Sequence, residues 1–290
     1  MKLFVVLVLP LIHLLAFDAF VSPSELKSSL TEKNLIIIDV ASKEIYKKSH
    51  IVEAIHVDVQ AFIDEESPYK QMHAPEVIQE HLRSAAIDTD SKIIIYAHNT
   101  PQGFLNSSYF AFVLISHGFE NVSILDGGYM AWVFEYPLLS STTKHSPKSS
   151  GNYNVVKNKN IVVDAEYINK KEHTLTLLDA RKPKEYYGVE KSFEVEQPGH
   201  IPTAKCSYYA YSFLEDGTLR NIHELNQIYL EGFDLSQDSN IVVYADNVFS
   251  SSMLWYILYK QMGFKQTKIY ERSLKEWSDL HLSVKRFIWE

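Results

Sequence analysis

Cysteine is almost absent from this sequence, and so is any concentration of positive charge. The single cysteine, Cys206, excludes a disulfide within the chain and a zinc site built from several cysteines. The 12 histidines show no HxxxH or HxH spacing, so we expect neither a metal site nor a cofactor. With 28 Lys and Arg against 36 Asp and Glu, the formal net charge is -8, which disfavours nucleic acid as a partner.

The N-terminal apolar run, Leu3–Phe17, is too short for a comfortable membrane span, which needs about 20 residues. It follows Met1-Lys2 and contains no Arg, a pattern typical of a secretory signal peptide over residues 1–19. Ala16 and Ala19 are candidate cleavage positions. We therefore expect a secreted or luminal protein. An uncleaved signal anchor, with membrane attachment, is the alternative.

Two Asn-x-Ser triplets fit a chain that enters the secretory pathway. They begin at Asn106 and Asn121, which are therefore candidate glycosylation sites. Such triplets also arise by chance, so they support the signal peptide without proving it.

The sequence contains an internal repeat. Asp39 closes the run LIIIDV and Asp179 closes LTLLDA, 140 positions later. Tyr96 in SKIIIYAHN and Tyr244 in SNIVVYADN are 148 positions apart. HGFENVSILDGGYMAW and MGFKQTKIYERSLKEW follow at an offset of 145. Three pairs in one order at nearly one offset indicate a duplication.

Each half has the pattern of an α/β fold. Its continuous apolar, β-branched runs suit strands that are buried on both faces of a parallel sheet. Amphipathic stretches of helical length lie between them, at 74–86, 107–117 and 250–263. We predict two tandem domains, 20–139 and 155–290, each a mainly parallel sheet covered by helices. The Ser-rich stretch 140–154 is predicted to be the linker.

Several segments resemble the two-domain rhodaneses, the thiosulfate and 3-mercaptopyruvate sulfurtransferases. SHIVEAIHVDV (49–59) and PGHIPTAKCSY (198–208) are similar to the G-H-I-P-G-A element of that family. SPYKQMHAP (67–75) is similar to a first-domain segment, and LLDARKPKEYYG (177–188) to the D-A-R element of the second domain. The resemblance extends from Phe20 to about Trp277.

The resemblance implies a catalytic loop, Y-C-x-x-G-V-T, in the second domain. In the family its cysteine thiolate carries sulfane sulfur as a persulfide, and its backbone N–H groups bind the anionic donor. The corresponding stretch here is YADNVFSSS (244–252), in which Ala245 stands at the cysteine position. The remaining candidates form a vestigial anion-binding site, namely Arg181, Glu185, Asp246, Asn247, Val248, Phe249 and Ser250.

The residues around Ala245 also depart from the family pattern. Asp246 and Asn247 stand where neutral or basic residues are usual, and Glu185 aligns with a basic residue. Val248 replaces a glycine, which predicts a strained or reshaped loop. These carboxylates disfavour an anionic sulfur donor. Two alternatives stay open: Asp246 as a helix cap and Glu185 as a solvated surface acid.

We therefore expect a catalytically inactive tandem rhodanese that binds an unknown small anion or a protein partner. A methyl group cannot carry a persulfide, and the serines after it cannot form the S–S bond that an acceptor cleaves. The alternative is an active thiosulfate or 3-mercaptopyruvate sulfurtransferase, which would need Cys206 as a relocated nucleophile. Cys206 as a small buried apolar residue is the more ordinary interpretation.

Overall fold

The computed structural model describes residues 18–288, except positions 99, 148, 172 and 173. The predicted signal segment Leu3–Phe17 lies outside these residues, so its prediction stays open. Within the described part of the chain, no helix has the length and apolar character that a membrane crossing requires.

The first domain contains seven strands and five helices in the part that is described. Its strands are β1 (Phe20–Val21), β2 (Leu35–Asp39), β3 (His50–Ile51), β4 (Ile55–His56), β5 (Lys92–Tyr96), β6 (Val122–Leu125) and β7 (Ser140–Ser141). Its helices are α1 (Pro23–Ser29), α2 (Lys43–Lys48), α3 (Pro75–Ser84), α4 (Pro101–Ser116) and α5 (Gly128–Glu135).

The second domain repeats this order of elements, except that an isolated bridge between His200 and Lys285 takes the place of the β3–β7 pair. Short 3₁₀ and π-helical turns lie between its elements. Its strands are β8 (Val162–Val163), β9 (Thr176–Asp179), β10 (Lys205–Cys206), β11 (Ile241–Tyr244) and β12 (Lys268–Tyr270). Its helices are α6 (Ala165–Lys171), α7 (Pro183–Tyr186), α8 (Ile222–Asn226), α9 (Val248–Tyr256) and α10 (Ser273–Asp279).

Each domain is built on a five-stranded parallel sheet. The strand order is β1-β6-β5-β2-β4 in the first domain and β8-β12-β11-β9-β10 in the second. The two orders are the same once equivalent strands are matched. The central strands are rich in Ile, Val and Leu because helices cover both faces of the sheet. The predicted α/β fold with two tandem domains is confirmed.

Proline and small polar residues set where the helices start. Helix α4 begins at Pro101, six residues before the predicted start at Ser107, and Thr100 Oγ1 accepts the N–H of Gly103 at 3.0 Å. Proline is well tolerated in a first helical turn because the N–H groups there have no partner within the helix. Helix α3 likewise begins at a proline, Pro75.

Helices α4 and α9 lie together between the two sheets and join the domains into one core. Helix α4 is apolar on nearly all sides, as expected of a helix that is surrounded by protein. Phe112 meets Trp255 edge-to-face at 5.1 Å, and Tyr109 meets Phe249 at 4.8 Å between ring centroids. Apolar residues of both domains therefore belong to a single buried cluster.

The predicted linker, 140–154, is held against the first domain. Its first residues form strand β7, which pairs with β3 in antiparallel fashion. Near its end, Tyr153 is buried, and its hydroxyl donates to the carbonyl of His117 at 2.9 Å. Arg83 Nε donates to the Tyr153 carbonyl at 2.9 Å. The end of the predicted linker therefore packs against the first domain through a buried aromatic ring.

Two acids at equivalent positions make reciprocal contacts between the domains. Asp126 follows β6, and its Oδ1 accepts the N–H of Leu219 from the second domain at 2.8 Å. Glu271 follows β12, and its Oε1 accepts the N–H of Met72 from the first domain at 2.6 Å. Burial raises the pKa of Asp126 to about 6 and that of Glu271 to about 7. The carboxylate form of each is therefore disfavoured in the folded state.

We expect Glu271→Gln to change how stability depends on pH. The folded pKa lies above the ordinary value of 4.5, so the folded protein binds more protons and the wild type loses stability as pH rises from 4.5 to about 7. Glutamine keeps an oxygen for the Met72 N–H but does not titrate. Urea unfolding at pH 4.5 and at pH 7 measures the effect. Between these pH values, the free energy of unfolding of Glu271→Gln should rise by roughly 3 kcal/mol relative to that of the wild type.

Asp126→Asn is the matched control at the equivalent contact. Its gain should have the same sign and a similar size, because burial raises the pKa of Asp126 from 3.8 to about 6. A difference between Glu271→Gln and wild type that does not vary with pH would contradict this account.

Candidate functional site

The candidate site lies where strands β9 and β11 end, at the carboxyl edge of the second sheet. Ala245 follows β11 and is 1% exposed. Its N–H donates to Ser273 Oγ at 3.3 Å, and its carbonyl accepts the N–H of Leu274 at 2.9 Å. The loop is thus tied to the start of α10, and position 245 contributes only a methyl group.

The loop after Ala245 enters helix α9 directly. Val248 is the first residue of this helix and does not have positive φ, so the predicted strain at Val248 is absent. Asn247 caps the helix, because its Oδ1 accepts the N–H of Phe249 at 3.0 Å. The alternative that Asp246 is the cap is therefore wrong.

The other predicted residues of this stretch belong mostly to the helix and the core. Phe249 is 8% exposed and contacts Tyr109 of α4. Ser250 is partly exposed on the first turn. The next two hydroxyls are used within the helix, since Ser251 and Ser252 donate to the Val248 carbonyl at 3.0 and 2.6 Å.

Arg181 is buried, and acceptors of the protein surround its guanidinium. Nε donates to Asp179 Oδ1 at 2.9 Å, and Nη2 donates to Asp179 Oδ2 at 2.6 Å. Nη2 also donates to the Gly199 carbonyl at 2.7 Å, and Nη1 donates to Asp246 Oδ1 at 3.1 Å. Burial lowers the pKa of Arg181, but the charges of Asp179 and Asp246 raise it by more, so the net effect is a raised pKa. Both of its terminal nitrogens therefore already donate to acceptors of the protein.

The charge around Arg181 is negative. Burial raises the pKa of Asp246 to about 6 against the opposing effect of Arg181, so Asp246 is largely ionised at neutral pH. Glu185 lies close enough to Asp246 to raise that pKa further. Glu185 is partly buried and its Oε2 accepts the N–H of Lys182 at 3.3 Å, so it caps α7 and is not simply a solvated acid.

Glu194, which was not predicted from the sequence, links both domains at the entrance of the site. Its Oε1 lies 2.7 Å from Lys70 Nζ of the first domain, and its Oε2 accepts from Asn247 Nδ2 at 2.6 Å. A cavity of about 210 Å³ lies here, lined in part by Tyr69 and Phe193. Because Glu194 belongs to a loop of irregular structure, no sequence pattern placed it near Asn247.

Cys206 lies on the other face of the sheet from Ala245. In the sheet register Cys206 is opposite Asp179, which is in turn opposite Tyr244. Two strand spacings, about 10 Å, therefore separate Cys206 from β11. Its side chain packs with the cluster that contains Leu177 and Tyr244, whereas Ala245 belongs to the opposite cluster. Burial, followed by the charge of Asp179, raises the pKa of Cys206 to about 12, so its thiol is protonated at neutral pH.

Comparison with the equivalent position of the first domain shows that Arg181 supplies hydrogen-bond donors to a buried aspartate. Asp39 is fully buried and its Oδ1 accepts the N–H of Ala41, the residue that replaces arginine. Among the described residues, Oδ2 has no hydrogen-bond partner, and His98 Nε2 approaches it only to 3.5 Å. Asp179 has no such unfilled oxygen because Arg181 supplies the donors.

The two predicted glycosylation positions are partly buried. Asn106 lies in α4, where its Oδ1 accepts from Gln102 Nε2 at 2.9 Å. Asn121 precedes β6, and its Nδ2 donates to the Ser91 carbonyl at 3.1 Å. Neither contact tests the glycosylation prediction. Across the described positions, no group of three or more His, Cys, Asp or Glu residues is arranged to hold a metal ion.

Comparisons with known proteins agree with this architecture. The family model described as "Rhodanese-like domain" matches residues 22–135 and 164–280. A "Putative thiosulfate sulfurtransferase" of Mycobacterium leprae is 27% identical over 276 residues, covering 91% of this chain and 95% of its own length. The "Sulfur carrier protein TtuD" of Thermus thermophilus is 27% identical over 287 residues, covering 91% and 94%.

A solved structure with the same fold is the anaerobic ergothioneine biosynthesis enzyme of Chlorobium limicola, in complex with trimethyl histidine. Its TM-score is 0.81 at 18% identity, over 95% of this chain and 72% of that one. This likeness supports the fold alone. The family model covers both domains, and together with the duplicated sheets it shows that the chain belongs to the rhodanese family, with two rhodanese-like domains in tandem.

Proposed function

We propose that this protein is a sulfurtransferase-family member without sulfurtransferase activity, retained as a binding or structural module. The observation that carries the proposal is the alanine at position 245, where the family's nucleophilic cysteine is expected. Sulfur transfer proceeds through a thiolate that attacks the donor and becomes a persulfide. A methyl group has no electron pair for that attack.

The electrostatics of the site support the same proposal. The guanidinium of Arg181 already donates to two carboxylates and a carbonyl. Thiosulfate is a dianion, and Asp246 and Glu185 would repel it. Cys206 does not offer a substitute, because its thiol is protonated at neutral pH and faces the opposite side of the sheet.

The rival proposal is a working sulfurtransferase. It is favoured by the names of the relatives, which include a thiosulfate sulfurtransferase and a sulfur carrier protein at 27% identity. It requires Cys206 to accept sulfur, so the variant Cys206→Ala distinguishes the two proposals.

We expect purified protein incubated with thiosulfate and cyanide to form no thiocyanate above the protein-free rate, and Cys206→Ala to behave identically. The triple variant Ala245→Cys/Asp246→Asn/Glu185→Gln should form thiocyanate at least about tenfold faster than Ala245→Cys alone, because two repulsive charges are removed. Thiocyanate formed by the wild type and abolished in Cys206→Ala would establish the rival.

We further propose that the chain is secreted or luminal, on the basis of the signal-like segment Leu3–Phe17. Expression of the full chain in cells with a secretory pathway, followed by N-terminal sequencing, tests this. A mature N-terminus between about Ala16 and Phe20 is expected. An intact chain that stays in the membrane fraction would favour the signal anchor, and an intact chain in the cytosol would contradict both.

A further inference from the structure

An aromatic cavity lies between the two domains at the start of helix α4. Its volume is about 210 Å³, and its walls include Phe104 of the first domain with Tyr208, Tyr209 and Phe213 of the second. Each of these four rings is partly exposed, so none is fully used in a core. The cavity is smaller than a drug-sized site, which has roughly 300–1,000 Å³, and suits a small ligand.

A glycine turn holds one ring of this cavity in place. Gly217 has a φ of +84°, a conformation that residues with a Cβ rarely adopt. A Cβ added there would lie 3.2 Å from Cζ of Phe104, so the turn lies directly on the ring. The ring of Phe213 lies near Phe104 on another side, with the centroids 6.5 Å apart and the ring planes tilted by 42°.

The charges near the cavity are negative. Tyr209 follows β10, and its N–H donates to the carbonyl of Ala180 at 3.4 Å, which places it beside Arg181 and its acids. Burial raises the pKa of Tyr209, and the charge of Glu185 raises it further. Asp179 and Asp246 together offset the charge of Arg181. No described residue that lines the cavity has a cationic side chain.

Arg220 is a further cation near the cavity, because its Nε donates to the Tyr211 carbonyl at 2.9 Å. It is paired with Glu224 at 3.0 Å. The cavity therefore combines aromatic rings, whose faces carry partial negative charge, with a nearby carboxylate, Glu185, that attracts cations.

We propose that this cavity binds a small organic cation with a methylated ammonium group, held against the faces of Phe104, Tyr208, Tyr209 and Phe213. A methylated ammonium suits the site because it is attracted to aromatic faces and has no N–H groups that need acceptors. The proposal extends the binding role proposed above. It rests on that role, because it assumes that no anionic substrate competes with the cation.

Calorimetric titration of the full-length protein with choline, and with its neutral tert-butyl isostere, tests the proposal. Both probes have the same shape, so only the cationic probe gains from cation–π attraction. We expect choline to bind at least fivefold more tightly than the isostere. Phe104→Leu should weaken choline at least fivefold and leave the isostere nearly unchanged, whereas Phe134→Leu, at a side chain that is 90% exposed on α5, should change neither.

Tyr209→Leu is a second variant of the cavity, in case Phe104→Leu does not fold, and it should weaken choline in the same way. Equal binding of both probes, or binding of neither, would overturn the proposal, and so would competition by thiosulfate. The thiocyanate assay on the same preparation is independent of these titrations. Turnover there would refute the inactive role, whereas the choline result alone decides the ligand class.

Discussion

Replacing Arg181 by methionine should destabilise the protein by about 3–5 kcal/mol. Arg181 is 4% exposed, and Asp179 is fully buried against it. Methionine fills much of the same space but donates no hydrogen bond, so the carboxylate of Asp179 would lose three of its contacts without regaining water. Removing one partner of a buried ion pair is costly because the other charge stays behind.

Urea unfolding followed by circular dichroism measures this effect. Arg220→Met is the matched control, because Arg220 pairs with Glu224 at 3.0 Å but both side chains are about one-third exposed. We expect that change to cost less than about 1 kcal/mol. If the two arginine variants lost the same stability, Arg181 would not be the buried counter-ion that the geometry indicates.

Replacing Trp255 by alanine should cost about 3–5 kcal/mol in free energy of unfolding. Trp255 is fully buried in α9, stacks on Tyr259 at 4.6 Å and meets Phe112 of the other domain at 5.1 Å. Its Nε1 donates to the carbonyl of Thr267 at 3.0 Å, and alanine leaves that acceptor unpaired. The loss combines a cavity, a missing hydrogen bond and a weakened contact between the domains.

Phe134→Ala on α5 is the control for Trp255→Ala, since its ring is 90% exposed and its removal should change stability by less than about 0.5 kcal/mol. Equilibrium unfolding in urea should give one transition for the wild type, because apolar residues of both domains share one core. A Trp255→Ala variant as stable as the wild type would show that the α4–α9 contact is not a main source of stability.

The sequence was sufficient to predict the fold because its strands are buried on both faces. Continuous β-branched runs such as LIIID and IVVY leave few other interpretations, and their repetition indicates the duplication. Helix starts were harder to predict. The first turns of α4 contain Gln102, Gly103 and Asn106, so the amphipathic pattern is clear only from Ser107 onwards, although Pro101 was an available signal.

The sequence also led to the prediction that Ala245 stands at the position of the nucleophile, on the basis of the repeat and the family resemblance. It could not predict how Arg181 is partnered. Asp246 lies 65 positions away from it, and only the pairing of β9 with β11 brings the two together. The expected strain at Val248 is absent because Asn247 caps the helix and lets Val248 adopt ordinary helical geometry, an arrangement that depends on the whole loop.

The central claim is that no atom of this chain accepts sulfane sulfur, and intact-protein mass spectrometry after incubation with thiosulfate tests it most directly. The account predicts an unchanged mass, because Ala245 has no sulfur and the partly buried thiol of Cys206 stays protonated. A mass increase of one sulfur atom, mapped by peptide analysis to Cys206, would contradict it.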